Sequence, residues 1–549
     1  THLLGYRVED GMLILDRVDI GSRCFVGIHA SMGLGARMED DSLLDDQSVL
    51  GDGEVMAAEE SRRGSPAQVH EVSVPEPAPQ QASRVCRFFF GLAHLIAIYA
   101  MTVCLIATAI PTVLLVVYVW TSSGPAWGMA AVFGAAPLAV VTFCLSFALI
   151  KALVLRRARP GTYSLYSIFY LRKWFTDRLM TFSRALMLPL YTTLYLPPWF
   201  RLLGAKIGAR SELSTVWSVA PELLQADDES FFADGCIIGG RRIHRGRMQL
   251  ATNRVGRRSF IGNSAVLSAG VDVGDGCLIG CVSTPPADGA PDHTEWLGSP
   301  PFSLPHRQKV EGFDEAVTYR PTAKLYLQRA LIDGLRILIP SIIAIFVAVA
   351  FVLFAVWSKA ELGVGMTFVL AAPFSIGLAI VTTLLVASIK WMVMGRFQPT
   401  IRPLWSAYVW LNEMVNGAYE SVMAPAMAPF LGTPFAAFFL RMIGCKVGRR
   451  CFIETTLFSE FDLVEIGDHV SLNQGVVIQT HLFEDRIMKA SKLEIESDCS
   501  VGNMAVILYD TKMEEGSALA PLSLLMKGEI LPRRSRWRGI PTDSSHASV

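Results

Sequence analysis

The chain is short of charge. Of its 549 residues only 18% are Asp, Glu, Lys or Arg, and 49 basic side chains are offset by 49 acidic ones. A chain without surplus positive charge does not hold nucleic acid by bulk electrostatics. A 52% apolar content excludes disorder. The ten cysteines form no CxxC pair, and the nearest two, Cys277 and Cys281, have no second pair to complete a zinc site. They read as buried thiols of a reducing compartment. Also missing are a GxxxxGK[ST] phosphate loop and the HExxH, GxSxG and HHxxxDG motifs. Their absence points away from an ATPase, a zinc protease, a serine hydrolase and an ordinary peptide-condensing domain. The sequence begins with Thr in what looks like mid-motif, as a fragment or processed chain does.

What is present in quantity is apolar length. Mean hydropathy is +0.39, and four runs, 88–120, 129–155, 331–357 and 366–394, each hold the ~20 apolar residues needed to cross a bilayer. Short loops at Ser122–Gly128 and Ser358–Gly365 make each pair a helical hairpin. Arg84, Arg87, Arg156, Arg157 and Arg159 flank the first, and Lys324, Arg329, Arg336, Lys390, Arg396 and Arg402 the second. The positive-inside rule then predicts a multi-pass protein of the cell membrane with its soluble modules on the cytoplasmic side. His94, Lys151 and Lys390, near the ends of the runs, read as snorkelling or interfacial groups.

The soluble parts repeat. Leu203-Gly204-Ala205-Lys206-Ile207-Gly208 returns 240 residues later as Ile443-Gly444-Cys445-Lys446-Val447-Gly448, and Ile261-Gly262-Asn263 as Val501-Gly502-Asn503. Thr1-His2-Leu3 resembles Thr480-His481-Leu482, which suggests the tail of a third copy. Aliphatic residues fall at every sixth position, as in Val255, Ile261, Leu267, Val273 and Ile279. That period fits a hexapeptide-repeat left-handed parallel β-helix of the trimeric-acyltransferase type, in which three six-residue strands make a coil. The fold class expected is therefore a mixed membrane protein. Its tandem units each hold a transmembrane hairpin, interfacial helices and a β-helix. The boundaries run 1–55 for a first β-helix, 56–86 for a flexible linker, 87–160 for a hairpin, 161–208 for amphipathic helices and 209–310 for a second β-helix. A connector at 311–330, a hairpin at 331–394, helices at 395–448, a third β-helix at 449–535 and a disordered tail at 536–549 follow.

Polar residues gather in three places. In Gln479–Arg486 a His precedes two acids, so His481 oriented by Glu484 or Asp485 can serve as a general base. A salt-bridge cluster around a structural His fits equally well. The corresponding place in the second module carries Arg241, Arg242 and Arg245 beside His244 and Arg247, a basic run that suits a solvated surface or the phosphate of a phosphopantetheine arm. The Pro- and Gly-rich stretch from Pro291 to Gln308 holds Asp292, His293, Glu295 and His306. It reads as a strap or as a loop closing over a site, with Asp292 or His293 as acid or base. No residue set suggests a metal.

With THLFEDRIMK at Thr480–Lys489, WLGSPPF at Trp296–Phe302 with the following Leu304–Gln308, and LLGAKIG, the chain resembles the C-terminal membrane region of ε-poly-lysine-synthetase-type non-ribosomal peptide synthetases. The resemblance spans residues 1–540. It implies adenylation and carrier domains in the same full-length protein, with ATP used only by the former and phosphopantetheine delivered by the latter. No cofactor would be bound directly. It also implies three soluble units that join amino acids by amide bonds. This sequence departs in lacking those two domains and a first membrane hairpin. On this resemblance His481 with Glu484 or Asp485 would activate an amino acid or peptide amine acceptor, and His2 would match His481 in the first unit. Membrane lipid is the other expected partner, nucleic acid is not one, and homo-oligomers are compatible. A hexapeptide acyltransferase with another acceptor, or a non-catalytic membrane scaffold, are the alternatives.

Overall fold

The computed structural model describes residues 2–3, 5–70, 82–305 and 312–544. Its soluble mass is three stacks of short parallel strands. They run from His2–Leu3 to Gln68–Val69, from Lys206–Ile207 to Phe302–Ser303, and from Lys446–Val447 to Asp543–Ser544. Neighbouring coils usually pair residues 18 apart: Asp19 with Arg37, Phe260 with Leu278, Val506 with Leu524. Each full coil lays one strand in each of three sheets, which is how a six-residue aliphatic period becomes an 18-residue turn. Val255, Ile261, Leu267, Val273 and Ile279 all point inward, at 2% exposure or less. Adjacent coils approach so closely at the corners that a Cβ on Gly262 would lie 2.6 Å from the Gly280 carbonyl carbon.

One coil in every stack is longer. His2 pairs with Ser31, Leu224 with Asn253 and Val464 with Leu493, a step of 29. The extra residues leave as an antiparallel hairpin: Tyr6–Glu9 with Met12–Leu15, Arg242–His244 with Arg247–Leu250, and His481–Glu484 with Ile487–Ala490. Each turns through two residues of positive φ, Asp10-Gly11, Arg245-Gly246 and Asp485-Arg486, as a two-residue hairpin loop requires. The hairpins are clasps. The first reaches the third stack, where Asn473 Nδ2 donates to the Val8 carbonyl at 2.9 Å. The second reaches the first stack, with Arg242 over the Phe25 ring at 4.7 Å. The third reaches the second stack, where Arg486 Nη2 donates to the Glu229 carbonyl at 3.0 Å. One chain thus closes a ring of three modules.

Helices α1 (Arg84–Ser123), α2 (Pro125–Leu155), α3 (Ile168–Leu186) and α4 (Leu196–Leu202) precede the second stack. After it come α5 (Ala323–Val393), α6 (Ala407–Ala418), α7 (Ala424–Met427) and α8 (Pro434–Ile443). Three of these, α1, α2 and α5, are long and apolar enough to cross a membrane. α5 breaks at Gly363, whose φ of 81° and ψ of 166° are not helical. Its two arms fold together, with Phe354 stacked on Phe374 at 4.2 Å and Ser358 Oγ donating to Thr367 Oγ1 at 3.0 Å.

Lys151 and Lys390 do not snorkel. Both are buried in the same latch between helix and stack: Lys151 Nζ lies 2.9 Å from Glu222 and Lys390 Nζ 2.6 Å from Asp462. Burial in a low-dielectric junction favours an ion pair over a lone solvated ammonium. His94 Nδ1 lies 2.7 Å from the Phe90 carbonyl, with its ring edge-on to Trp174. Other expectations are corrected too. The first stack runs on to Val69, past the linker expected from 56, because Ser61–Arg63 completes another coil against Leu43–Leu44. The third stack runs past 535, since Arg536–Arg538 pairs with Ala518–Leu519 and then with Asp543–Ser544. The stretch 71–81 of the expected linker and residues 545–549 of the expected tail lie outside the described residues.

Lys390→Met leaves Asp462 buried without its cation, a loss of about 3–5 kcal/mol. Thermal unfolding in detergent is expected to fall by several degrees, and Lys390→Met with Asp462→Leu to recover most of it.

Candidate active site

The third hairpin begins at His481, where the chain leaves the stack beside α6. The His481 side chain is 11% exposed. Its Nδ1 lies 2.7 Å from Glu460 Oε2, and its Nε2 has no hydrogen-bond partner among the described residues. Glu460 is fully buried, on a left-handed backbone corner with φ 33°. Its Oε2 also accepts from Thr480 Oγ1 at 2.7 Å, and its Oε1 accepts from the side-chain amides of Asn412 at 2.7 Å and Asn416 at 3.1 Å. Burial alone would raise this carboxyl. The His481 charge and these donors outweigh it and hold the group down to about 2. Burial likewise lowers His481, but Glu460 and the more distant Asp234 and Glu413 leave it above 6.5. A histidine with one nitrogen fixed by a carboxylate and the other free is the arrangement of an oriented general base.

More acids face this seam. Glu420 follows α6 and stays solvent-exposed although protein surrounds it. Desolvation, with Asp234 nearby, raises it to about 7 against the opposing charges of Arg336 and His481. Asp234 comes from the second stack, where its Oδ1 accepts from Ser214 Oγ and from the Thr215 amide at 3.1 Å. Arg336 bonds Glu413 at 3.0 Å and the Thr192 carbonyl at 2.9 Å, tying α5 and α6 to the same junction. Next to His481, the Phe483 ring meets Phe231 of the second stack at 5.8 Å. There a mostly apolar cavity of about 290 Å³ opens between Phe260, Leu278 and Leu297 on one side and Leu482, Phe483 and Met526 on the other.

The residues expected from sequence are partly dispersed. Glu484 does not orient His481. It pairs with Lys489 and Lys527 on the cavity wall, and Asp485 occupies the hairpin turn. The first strand of that hairpin points successive side chains to opposite faces, so Glu484, three positions on, faces away from the imidazole. His2 is not the counterpart of His481. Register pairs His2 with Ser31, as it pairs Val477 with Val506, and places Tyr6 where His481 stands. Tyr6 donates its hydroxyl to Glu454 at 2.6 Å. Arg241, the other counterpart, pairs with Asp177, while Arg242 stacks on Phe25 and Arg245 lies 3.3 Å from Asp41. Arg242 and Arg245 thus clasp the second stack to the first, and Arg241 ties its own hairpin to α3. Asp292 and His293 are exposed on a coil corner, where Asp292 accepts from the Asp275 amide at 2.8 Å. Glu295 lines the cavity, and His306–Gln308 lie outside the described residues.

Glu460, Glu420 and Asp234 escaped the sequence reading. A position-by-position comparison of the repeats carries the signal: at the 240-residue offset Glu460 answers Ala220, and His481 answers Arg241. The positions that break the repeat are the ones gathered at the seam.

Parallel coiled-strand modules in tandem, attached to long apolar helical hairpins and meeting at a carboxylate–histidine pair, define the class of this chain. It is 38% identical over 415 residues to the Delta-poly-L-ornithine synthetase of Acinetobacter baumannii (strain AB307-0294). The match covers 75% of this chain and 31% of that protein, so the chain spans about a third of its relative. The chain is thus related to the ε-poly-lysine-synthetase-like enzymes. No family model and no solved structure matches it.

The two pKa displacements give opposite pH dependences. The lowered Glu460 contributes stability present above 4.5 and lost as pH falls towards 2. The raised His481 contributes stability present below 6.5 and lost as pH climbs through its raised value. Glu460→Gln is expected to remove both contributions and to drop the His481 titration below its wild-type position. Histidine NMR titration of the detergent-solubilised protein reads that shift.

Proposed function

We propose that this chain is the bond-forming region of a membrane-bound peptide-synthetase-like enzyme, joining a carrier-bound aminoacyl thioester to an amine acceptor at the His481–Glu460 seam. The observation that carries this reading is an asymmetry. Three hairpins occupy equivalent places in the ring, and only the third begins with a histidine held by a buried carboxylate, beside a cavity. Relatedness to a poly-ornithine synthetase supports peptide-bond chemistry.

The donor thioester lies along the apolar cavity and presents its carbonyl near His481. The acceptor nitrogen attacks, the C–N bond forms, and Nε2 of His481 takes a proton from that nitrogen. It passes the proton to the departing thiolate as the C–S bond breaks. Glu460 keeps the imidazole oriented and offsets its charge while it is protonated. Phosphopantetheine enters as the arm of a carrier domain, a better match to the apolar cavity beside Lys527 than to the arginines of the second module, whose side chains hold Asp177, Phe25 and Asp41. Adenylation and carrier domains of the same polypeptide supply the thioester and consume the ATP.

Four apolar arms in two hairpins hold the ring to the membrane lipid, and the arginines flanking them favour a cytoplasmic location for the modules. We read the stacks as left-handed β-helices of hexapeptide type. The 18-residue coil of three short strands supports that reading.

The test supplies adenylation and carrier domains in one polypeptide with this chain and follows amide products by mass spectrometry. His481→Ala is expected to slow product formation by about 10²–10⁴-fold with carrier loading intact. Undiminished product in that variant refutes the assignment. Met526→Trp, which narrows the cavity, is expected to raise the KM for the loaded carrier by about tenfold, with the acceptor KM unchanged.

A further inference from the structure

The chain leaves its long apolar helices at two equivalent places, and the two are not alike. The repeat offset here is 239, one short of the 240 of the stacks, as Lys151 and Lys390 or the helix caps Ser167 and Ser406 show. On that offset Arg156-Arg157-Ala158-Arg159-Pro160 after α2 answers Gly395-Arg396-Phe397-Gln398-Pro399 after α5. Three arginines stand in the first unit where the second has one. The apolar residue among them differs as well. Phe397 is buried, with its ring 6.4 Å from that of Phe461. Ala158 is also buried, and has only a methyl group to put in that place.

The space beside Ala158 is open. A cleft of about 570 Å³ lies there, lined by Arg156, Arg157, Arg159, Ala158, Leu223 and Thr252. A water takes about 30 Å³ of liquid, so the cleft admits a molecule much larger than an ion. The three guanidinium groups and the Thr252 hydroxyl have no hydrogen bond or ion pair among the described residues. Glu222, the carboxylate in the lining, lies 2.9 Å from Lys151 and 3.7 Å from Lys173. Asp177, beyond Lys173, is met in turn by Arg241. Both acids are thus offset by cations of their own, and the cleft stays positive. Its approach is apolar. Leu145, Leu149 and Leu153 are exposed along one face of α2, and Arg156, which keeps helical φ and ψ, follows three positions after the last of them. On α5 the matching track is interrupted by Ser388 at the place of Leu149.

We infer that this cleft binds one anionic phospholipid, its phosphate held by Arg156, Arg157 and Arg159 and its acyl chains laid along the leucine face of α2. The inference rests on the membrane placement proposed above, and not on the chemistry at His481. An aliphatic track that ends in guanidinium groups has the outline of a phospholipid. Arginine presents parallel N–H donors that match the oxygens of a phosphate, and a basic pocket at the membrane boundary suits an anionic headgroup. A zwitterionic headgroup brings a cation of its own against three arginines, and is the poorer occupant. A lipid seated here braces the first helix–stack latch, at the place where Phe397 completes the packing of the second.

The test uses the whole chain, first floated with phosphatidylcholine vesicles and then held in a neutral detergent. Phosphatidylglycerol and, separately, phosphatidylcholine are titrated in, and native mass spectrometry counts the lipids bound per chain. A single phosphatidylglycerol is expected to bind well before phosphatidylcholine does. Arg156→Gln with Arg159→Gln, both at exposed positions, is expected to weaken that binding about thirtyfold. Ala158→Phe, which gives the first unit the residue of the second, is expected to weaken it with every charge retained. Arg396→Gln in the second unit is expected to leave it unchanged. Equal affinity for the two lipids, or a double arginine variant within about threefold of wild type, overturns the inference. A folded Ala158→Phe protein that binds as the wild type does overturns the cleft as the site. Inorganic phosphate that competes as well as the lipid itself overturns the lipid as the ligand. A chain that does not float with the vesicles overturns instead the membrane placement on which the inference rests.

Discussion

An eleven-residue detour from one coil of each stack (29 residues against 18) governs this molecule. A parallel coil of short strands buries its aliphatic residues inside itself, and has little apolar surface left with which to bind a neighbour. The detour supplies what the coil lacks. It becomes a two-stranded arm that pairs with a strand leading from the membrane helices in two units, Gly161–Ser164 and Thr400–Pro403, and reaches across to the next stack. Three such arms, each engaging a different neighbour, close the ring, and everything placed at the module seams depends on that closure.

The ring gives one chain three similar seams, and they have been put to different uses. At the root of the first arm stands Tyr6, whose hydroxyl bridges to Glu454. At the root of the second stands Arg241, which pairs with Asp177. At the third stands His481 on Glu460. At the first two, a tyrosine hydroxyl and an arginine Nη1 each meet a carboxylate. At the third, Nε2 of His481 has no hydrogen-bond partner among the described residues, and Asp234 and Glu413 act on the imidazole by their charge. Repetition supplied the scaffold, and departure from repetition supplied the site. The same holds beneath it, where a single added residue turns a regular helix into a π-turn over Tyr419–Met423.

The attachment to the apolar helices follows repetition without departure. Lys151 with Glu222 and Lys390 with Asp462 occupy matching places, and Arg201 and Arg441 each donate to two carbonyls of the first coil above them. Removing water from these ion pairs is costly, and each is offset only by the close approach of its partner. That makes the helix–stack junction specific: a shifted register would strand a charge.

Much of this was legible in the chain alone. The apolar runs, the 240-residue repeat and the six-residue aliphatic period each follow from local rules: a bilayer needs length, a coil needs an inward residue per side, and tandem units share spacing. His481 stood out because it is a titratable group in a polar cluster. Its partner did not. Glu460 lies 21 residues earlier, and what joins the two is the turn of a coil, which brings distant positions to adjacent levels. The nearby acids Glu484 and Asp485 looked better in sequence and are directed elsewhere. Likewise Thr1-His2-Leu3 mimics Thr480-His481-Leu482 in letters, while strand pairing sets Tyr6 in that place. Composition and period determined which elements exist. Which side chains meet was decided only by coil stacking and ring closure, because both juxtapose residues through backbone pairing across sequence distances that no local pattern encodes.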